Sequence, residues 1–337
     1  MAFLITGGTG FVGLNLTELL LAEGNDVRLF ALRGLAANVQ AYLARLPGKL
    51  SVIEGDVRDA AALGRALADD GVDQVIHAAA VTAGAEREGA DFSTVVGVNI
   101  DGTLRLLQAA RAARVSRVLV LSSVAVYGAG SGTELALTEE GTPVRPGSLY
   151  AVTKYAAEQI ALRYAATFGL DVLVARVGAA FGRWEHPTGL RETMSVPYQL
   201  AVRAQHGEEA RLPPAAPKDW IYAPDLARAL CGLVACGHPQ FRLYNAGPGH
   251  MWRIEDYAEA LRLSFPKFRW RIVETLAEAN ISYHGSLARP AMAIDRLQQQ
   301  TGFAPRFDLN TAVVDYAAWL KEFPDLLETP PYIHRLS

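Results

Sequence analysis

Cysteine is nearly absent. The 337 residues contain two, Cys231 and Cys236, both inside the apolar stretch LARALCGLVACG. Two thiols among small apolar neighbours suit helix packing rather than a disulfide framework or a metal clip, and they fit a reducing, cytoplasmic setting. Long apolar runs are missing as well: none approaches the length that spans a bilayer, and the opening MAFLITGG lacks the basic region and long apolar stretch of a secretory signal. Basic clusters are also lacking. With 32 Lys and Arg against 35 Asp and Glu, the formal net charge is -3, which argues against nucleic acid as a main partner because phosphate neutralisation needs clustered cations. No internal repeat or low-complexity linker interrupts the chain. Its composition, 50% hydrophobic and 20% charged, gives no sign of disorder and allows a large core or two unequal domains.

Short apolar runs alternate with longer segments of helical period, the signature of a parallel sheet with crossover helices. Strands are expected at 2–6, 26–31, 50–54, 73–78, 117–122 and 171–176. Helices are expected near 12–23, 35–46, 59–69, 92–114 and 149–168. The first strand runs directly into TGGTGFVGLNLTELL, whose Gly7, Gly8, Gly10 and Gly13 satisfy GxGxxG in its required context, with a strand before and an amphipathic helix after. Glycines there allow a tight turn and close approach of the backbone to a pyrophosphate, and the helix N-terminus offers unpaired N–H groups. Gly7, Gly10, Phe11, Val12 and Gly13 are therefore expected to hold a dinucleotide.

A fold that prefers NAD usually carries an acid about 20 residues beyond this loop, bonded to the ribose 2′-hydroxyl. Here Ala31 stands at that place, followed by Leu32 and Arg33. A missing carboxylate and a nearby guanidinium lean toward NADP, although Arg33 equally suits a solvated loop. Asp56 and Val57 in GDVRD follow the third strand, where they can meet an adenine edge. Ala78, Ala79 and Ala80 in HAAA follow the fourth and let a cofactor lie close. His77 reads as a packed rim residue, not a base.

Tyr150 and Lys154 in YAVTK are four residues apart, so a helix stacks one above the other. A cation beside a phenol favours the phenolate, yet lowering its pKa by ~3 units needs about 4 kcal/mol, more than one ammonium supplies. A second positive group, such as an oxidised nicotinamide, has to help.

TGGTGFVG, GDVRD, HAAA, VNIDGT, LSSVAVYG, YAVTK, KDWIYAPDLARA and YNAGPG occur together and in order, and in this the sequence resembles the extended short-chain dehydrogenase/reductase family of NAD(P)-dependent epimerases, dehydratases and reductases. The resemblance covers nearly the whole chain. It implies a Rossmann-type, doubly wound α/β fold with a smaller, discontinuous C-terminal substrate-binding domain: residues 1–176 for the dinucleotide, a segment near 218–247 returning to that domain, and 177–337 mainly as a lid. It also implies Tyr150 as general acid/base, Lys154 on the nicotinamide ribose, Ser123 with neighbouring Ser122 at the reacting oxygen, supporting Asn99, and a homodimer through the helices at 92–114 and 149–168.

Departures narrow the chemistry. The sugar-nucleotide 4,6-dehydratases place an Asp and a Glu directly after the catalytic hydroxyl, where this chain has Val124 and Ala125; apolar side chains cannot shuttle that proton. An Asn that meets the sugar diphosphate is Ala179 here, and the Arg of a later RDF pattern is Lys218. Thr82, Ser123, Tyr127, Trp184, Arg191, Tyr222 and Arg289 are the expected substrate contacts, with no metal. The expected activity is interconversion of a secondary alcohol and a ketone on a small polar, carbohydrate-derived molecule, using NAD(P) with NADP favoured. Sugar 4-epimerisation with retained NAD is the main alternative, and a non-catalytic, cofactor-sensing protein the minor one.

Overall fold

The computed structural model describes residues 1–68, 71–129, 135–283 and 288–324. Its centre is a seven-stranded parallel sheet. Six strands come from the first 177 residues: β1 (Ala2–Thr6), β2 (Asp26–Ala31), β3 (Leu50–Glu54), β4 (Gln74–His77), β5 (Arg117–Ser123) and β6 (Val172–Val177). Two short parallel pairs stand apart from the sheet, β7 (Ala179–Phe181) with β9 (Trp220–Tyr222) and β8 (Glu209–Leu212) with β11 (Arg269–Ile272). The seventh sheet strand, β10 (Leu243–Ala246), pairs with β6, giving the order β10-β6-β5-β4-β1-β2-β3.

Both faces of the sheet are covered, so the central strands read as continuous apolar runs. One layer contains α1 (Phe11–Ala22), α2 (Ala37–Leu43) and, later in the chain, α9 (Ala223–Ala235); its core includes Ile5, Leu16, Leu29, Val39 and Leu230. The other contains α3 (Ala60–Leu67) and, following α4 (Ala85–Ala90) and α5 (Phe92–Val96), the longer α6 (Gly102–Ala112) and α7 (Leu149–Phe168). Leu4, Leu63, Leu106 and Val120 fill that side. The remaining helices, α8 (Val196–His206), α10 (Ile254–Ser264), α11 (Asp295–Thr301) and α12 (Leu309–Glu322), extend the first core around an aromatic cluster of Phe181, Tyr222, Trp252 and Tyr257.

Helix boundaries follow local chemistry. Ser148 Oγ accepts from Ala151 N at the start of α7, and Gly169, at φ 71°, ends it in the left-handed conformation that glycine adopts without strain. The single helix expected over 92–114 is instead α5, a π turn at Gly97–Asp101, and α6. The wider turn places Asn99 in the interior, and such bulges are frequent at functional sites. Among the described residues no helix is long and apolar enough to cross a membrane.

Candidate active site

The nucleotide cradle lies where β1 passes into α1. Gly7 sits at φ +67°, and a Cβ there would come within 2.7 Å of Ala79 N; at Gly13 a Cβ would meet Gly7 O at 2.5 Å. Neither position has room for a side chain, so the loop lies against the end of β4 and brings α1 up to it. Gly10 begins α1 without a side-chain cap, leaving the first N–H groups of a helix of 12 residues available to an anion. Phe11 and Val12 occupy that first turn, and Ala78, Ala79 and Ala80 are partly open beside it. A cradle that any added Cβ would fill, with an uncapped helix end beside it, fits a dinucleotide pyrophosphate. Asp56, after β3, is held below the usual carboxylate range by its hydrogen bonds with Arg58. Val57 is buried against Gly102, so its side chain belongs to the core beneath the cradle. Arg33 is exposed on the loop after β2 and has an interaction of its own.

Three hydroxyls meet past the end of β5. Tyr150, in the first turn of α7, faces the hydroxyls of Ser123 at the end of β5 and Thr82 in the loop after β4, both of which favour its ionised form by hydrogen bonding. Ser123 Oγ also accepts from Ala125 N at 3.1 Å. Burial pushes the Tyr150 hydroxyl above its ordinary range, more than Ser123, the Arg191 charge and Thr82 pull it down. Lys154 is buried and drops to about 8, despite the opposing pull of Glu158. That carboxylate is bonded to Arg176 and Ser122. His77 is clamped between Thr6 Oγ1 at 2.6 Å and Thr103 Oγ1 at 3.0 Å and falls to about 3 through burial and the Lys154 charge. It is a neutral packing residue.

Behind this centre, several residues expected at the site are committed elsewhere. Asn99 donates to Val81 O and Thr153 Oγ1 and accepts from Val81 N, so both ends of its amide are taken in tying the Thr82 loop to α7. Ser122 donates to Glu158 at 2.8 Å; Glu158 in turn receives Arg176 Nη2 at 2.6 Å and Nε at 3.0 Å, and both members of the pair are excluded from solvent. Arg176 lies over the Tyr127 ring, whose hydroxyl donates to Asn245. Tyr127 is thus a buried strut, not a pocket wall. Glu158 escapes a motif reading, although a signal exists: it falls eight residues after Tyr150 and four after Lys154, on one helical face.

Arg191 is near enough to Tyr150 to act on its charge, and a strand-like bridge to Thr82 fixes that proximity. Its Nη1 pairs with the fully buried Glu185 at 2.9 Å, and its Nε donates to Thr193 O. Ser195 donates to Glu185 through both N and Oγ. Trp184 and Tyr222 do not join the site. Trp184 is wholly buried against Tyr42, Trp319 and Phe323, with its indole N–H on Glu18; Tyr222 donates to Asp315 and packs on Phe307. Large apolar rings there fill the layer beneath α12. Farther along, Arg289 and Lys218 flank the buried Asp219, and burial together with Arg289 brings Lys218 down to about 8. Arg289 Nε is buried without a hydrogen-bond partner among the described residues. Pairing of Ala179 with Trp220 sets this cluster beside the carboxyl end of β6, the edge where open α/β sheets bind ligands. Among the described residues no group of side chains could hold a metal.

Comparison with known proteins points the same way. Residues 3–247 match the family described as NAD dependent epimerase/dehydratase. A dTDP-glucose 4,6-dehydratase of Streptomyces griseus is 30% identical over 94% of this chain and 93% of its own length. UDP-glucuronate 4-epimerase 3 of Arabidopsis thaliana is 27% identical over 94% of this chain and 75% of its own. Among solved structures, the UDP-glucose 4-epimerase of Thermus thermophilus in complex with NAD superposes with a TM-score of 0.78 at 25% identity, covering 95% of this chain and 99% of that one. MoeE5 in complex with UDP-glucuronic acid and NAD gives 0.78 at 26%, covering 96% and 100%. With a glycine cradle, a parallel sheet and a match over most of its length, the chain is an enzyme of the extended short-chain dehydrogenase/reductase type and belongs to the NAD dependent epimerase/dehydratase family.

Proposed function

We propose that the protein oxidises a secondary alcohol of an anionic, carbohydrate-type substrate to the ketone and returns the hydride to the opposite face of the same carbon, an epimerisation with retained NAD. The observation that carries this reading is the Ser123–Tyr150–Thr82 cluster with Val124 and Ala125, not carboxylates, beside it. Those residues can move one proton at a hydroxyl but cannot eliminate water by the dehydratase route. NAD is preferred here to the NADP that Arg33 suggests, because the solved relatives described above carry NAD.

Bound NAD would supply the hydride acceptor and a positive ring. Ser123 and Tyr150 hold the reacting oxygen, and Tyr150 accepts its proton when a positive charge beside it lowers the phenol. Lys154 holds the ribose, and Gly7, Gly10, Phe11, Val12 and Gly13 hold the pyrophosphate through backbone N–H groups. Arg191 meets the substrate near the reacting carbon. Arg289, with Lys218, receives a distal negative group; relatives named for dTDP- and UDP-sugars make a diphosphate the first choice. By this reading residues 1–176 and 218–247 form the cofactor half of a cytoplasmic homodimer. Exposed Phe92, Val152 and Phe168 on α5 and α7 suit the dimer face.

A second reading, net oxidation or reduction with exchangeable cofactor, is favoured by one observation: Ala179 replaces the Asn that would grip a sugar diphosphate. Denaturing the purified protein and identifying the nucleotide released separates the two. Stoichiometric NAD, with epimer formed from a nucleotide sugar and no net absorbance change, supports epimerisation. An empty protein that reduces added ketone and consumes its cofactor refutes it.

A further inference from the structure

β2 and β3 end side by side, with Ala31 and Glu54 as register partners. Partners across a parallel pair project from the same face, and adjacent strands lie about 4.8 Å apart. A glutamate side chain spans that gap. Glu54 does so: its Oε1 accepts from Gly34 N at 3.0 Å, in the loop just beyond the end of β2, so its carboxylate lies at the carboxyl end of the neighbouring strand. An ideal Cβ on Gly34 would lie 2.9 Å from that oxygen, which shows how closely the loop embraces it. The Gly34 amide takes only Oε1, and Glu54 is exposed at the carboxyl edge of the sheet, two strands from the glycine cradle that follows β1.

We infer that Glu54 supplies, from the neighbouring strand, the carboxylate that receives the adenosine ribose hydroxyls, and so selects NAD over NADP. This rests on the reading that a nicotinamide dinucleotide occupies the cradle. One oxygen is oriented by the Gly34 amide and the other accepts from the 2′-hydroxyl. A 2′-phosphate in the same place meets a fixed negative charge. Ala31, with a single methyl group, leaves the ribose room between that carboxylate and the glycine loop.

Calorimetric titration of charcoal-stripped protein with NAD and with NADP tests this without any assay of turnover. Wild type should bind NAD more tightly. Glu54→Gln should move the ratio of the two dissociation constants toward NADP by about tenfold, the size of one charge-assisted hydrogen bond. Gly34→Ala, which pushes the carboxylate aside while keeping its charge, should move the ratio in the same direction by less. An unchanged ratio in Glu54→Gln, or a wild type that prefers NADP, overturns the role of Glu54 while leaving the cofactor reading intact. Failure of wild type to bind either nucleotide overturns both.

Discussion

Replacing Glu158 by Gln removes one charge from a pair sealed beneath the reacting centre. Glu158 and Arg176 have side-chain exposures of 0% and 2%, and the carboxylate takes hydrogen bonds at 2.6 and 3.0 Å from Arg176 and 2.8 Å from Ser122. The amide is nearly isosteric and can keep some of those bonds, so cavity formation contributes little. What remains is a guanidinium in the interior without its bonded carboxylate; the Glu139 carbonyl at 3.3 Å, the more distant Glu139 carboxyl and the face of Tyr127 stay beside it. Breaking a buried pair from one side costs about 3–5 kcal/mol, a large share of the roughly 5–15 kcal/mol that stabilises a native protein. Urea unfolding at pH 7 measures it as a fall in midpoint at constant slope. The double variant Glu158→Gln/Arg176→Met should recover part of the loss, because the stranded charge is gone. A change under about 1 kcal/mol for the single variant, or strict additivity in the double, would refute the reasoning. The same substitution has a second readout: Glu158 is the charge that raises Lys154 against burial, so the Lys154 titration should move below about 8.

Three further outcomes are expected. Tyr150→Phe should lower turnover by about 10²–10⁴, the span of general acid/base catalysis, with NAD affinity measured by titration unchanged; loss of binding instead would mean that the phenol is structural. Lys154 and Lys218 both sit at about 8 when folded against 10.5 for the unperturbed side chain. The unfolded state therefore binds more protons above pH 8, and stability of the nucleotide-free protein should rise from about pH 8 to about pH 9, where unfolded-state thiols begin to ionise; a flat urea midpoint over that interval contradicts the burial of both ammonium groups. His77, at about 3 in the fold against 6.5 unperturbed, should contribute a loss of stability that begins as pH falls through 6.5. Imidazole chemical shifts that stay those of a neutral ring at about pH 5 check it.

How much can be read from the residues alone depends on whether the signal is local. β1, β2 and β3 match their expected limits because each is a short apolar run bounded by turn residues, and the glycine loop carries its own context. Tyr150 and Lys154 are visible because helical spacing places them together without knowledge of the fold. β10 is harder: four residues whose meaning comes only from lying beside β6. Trp184 and Tyr222 mislead for the same reason, since composition says that an aromatic will be covered but not by what. Glu185 escapes notice because its partners, Arg191 and Ser195, form no recognisable motif with it, and Glu54 because it bonds to a loop that only the folded chain brings to it.

The bridge between Thr82 and Arg191 also bears on the timing of access. Leu190 O accepts from Thr82 N and Glu192 N donates to Thr82 O, while the Glu192 carboxylate receives Gly84 N and Arg87 N. Two loops far apart in sequence are thereby sewn together beside Tyr150. Any motion that parts them carries Thr82 away from Tyr150 or Arg191 away from both. Thr82, Tyr150 and Arg191 are thus assembled only while the two loops stay joined, so the backbone pairing, and not the side chains alone, holds the cluster together.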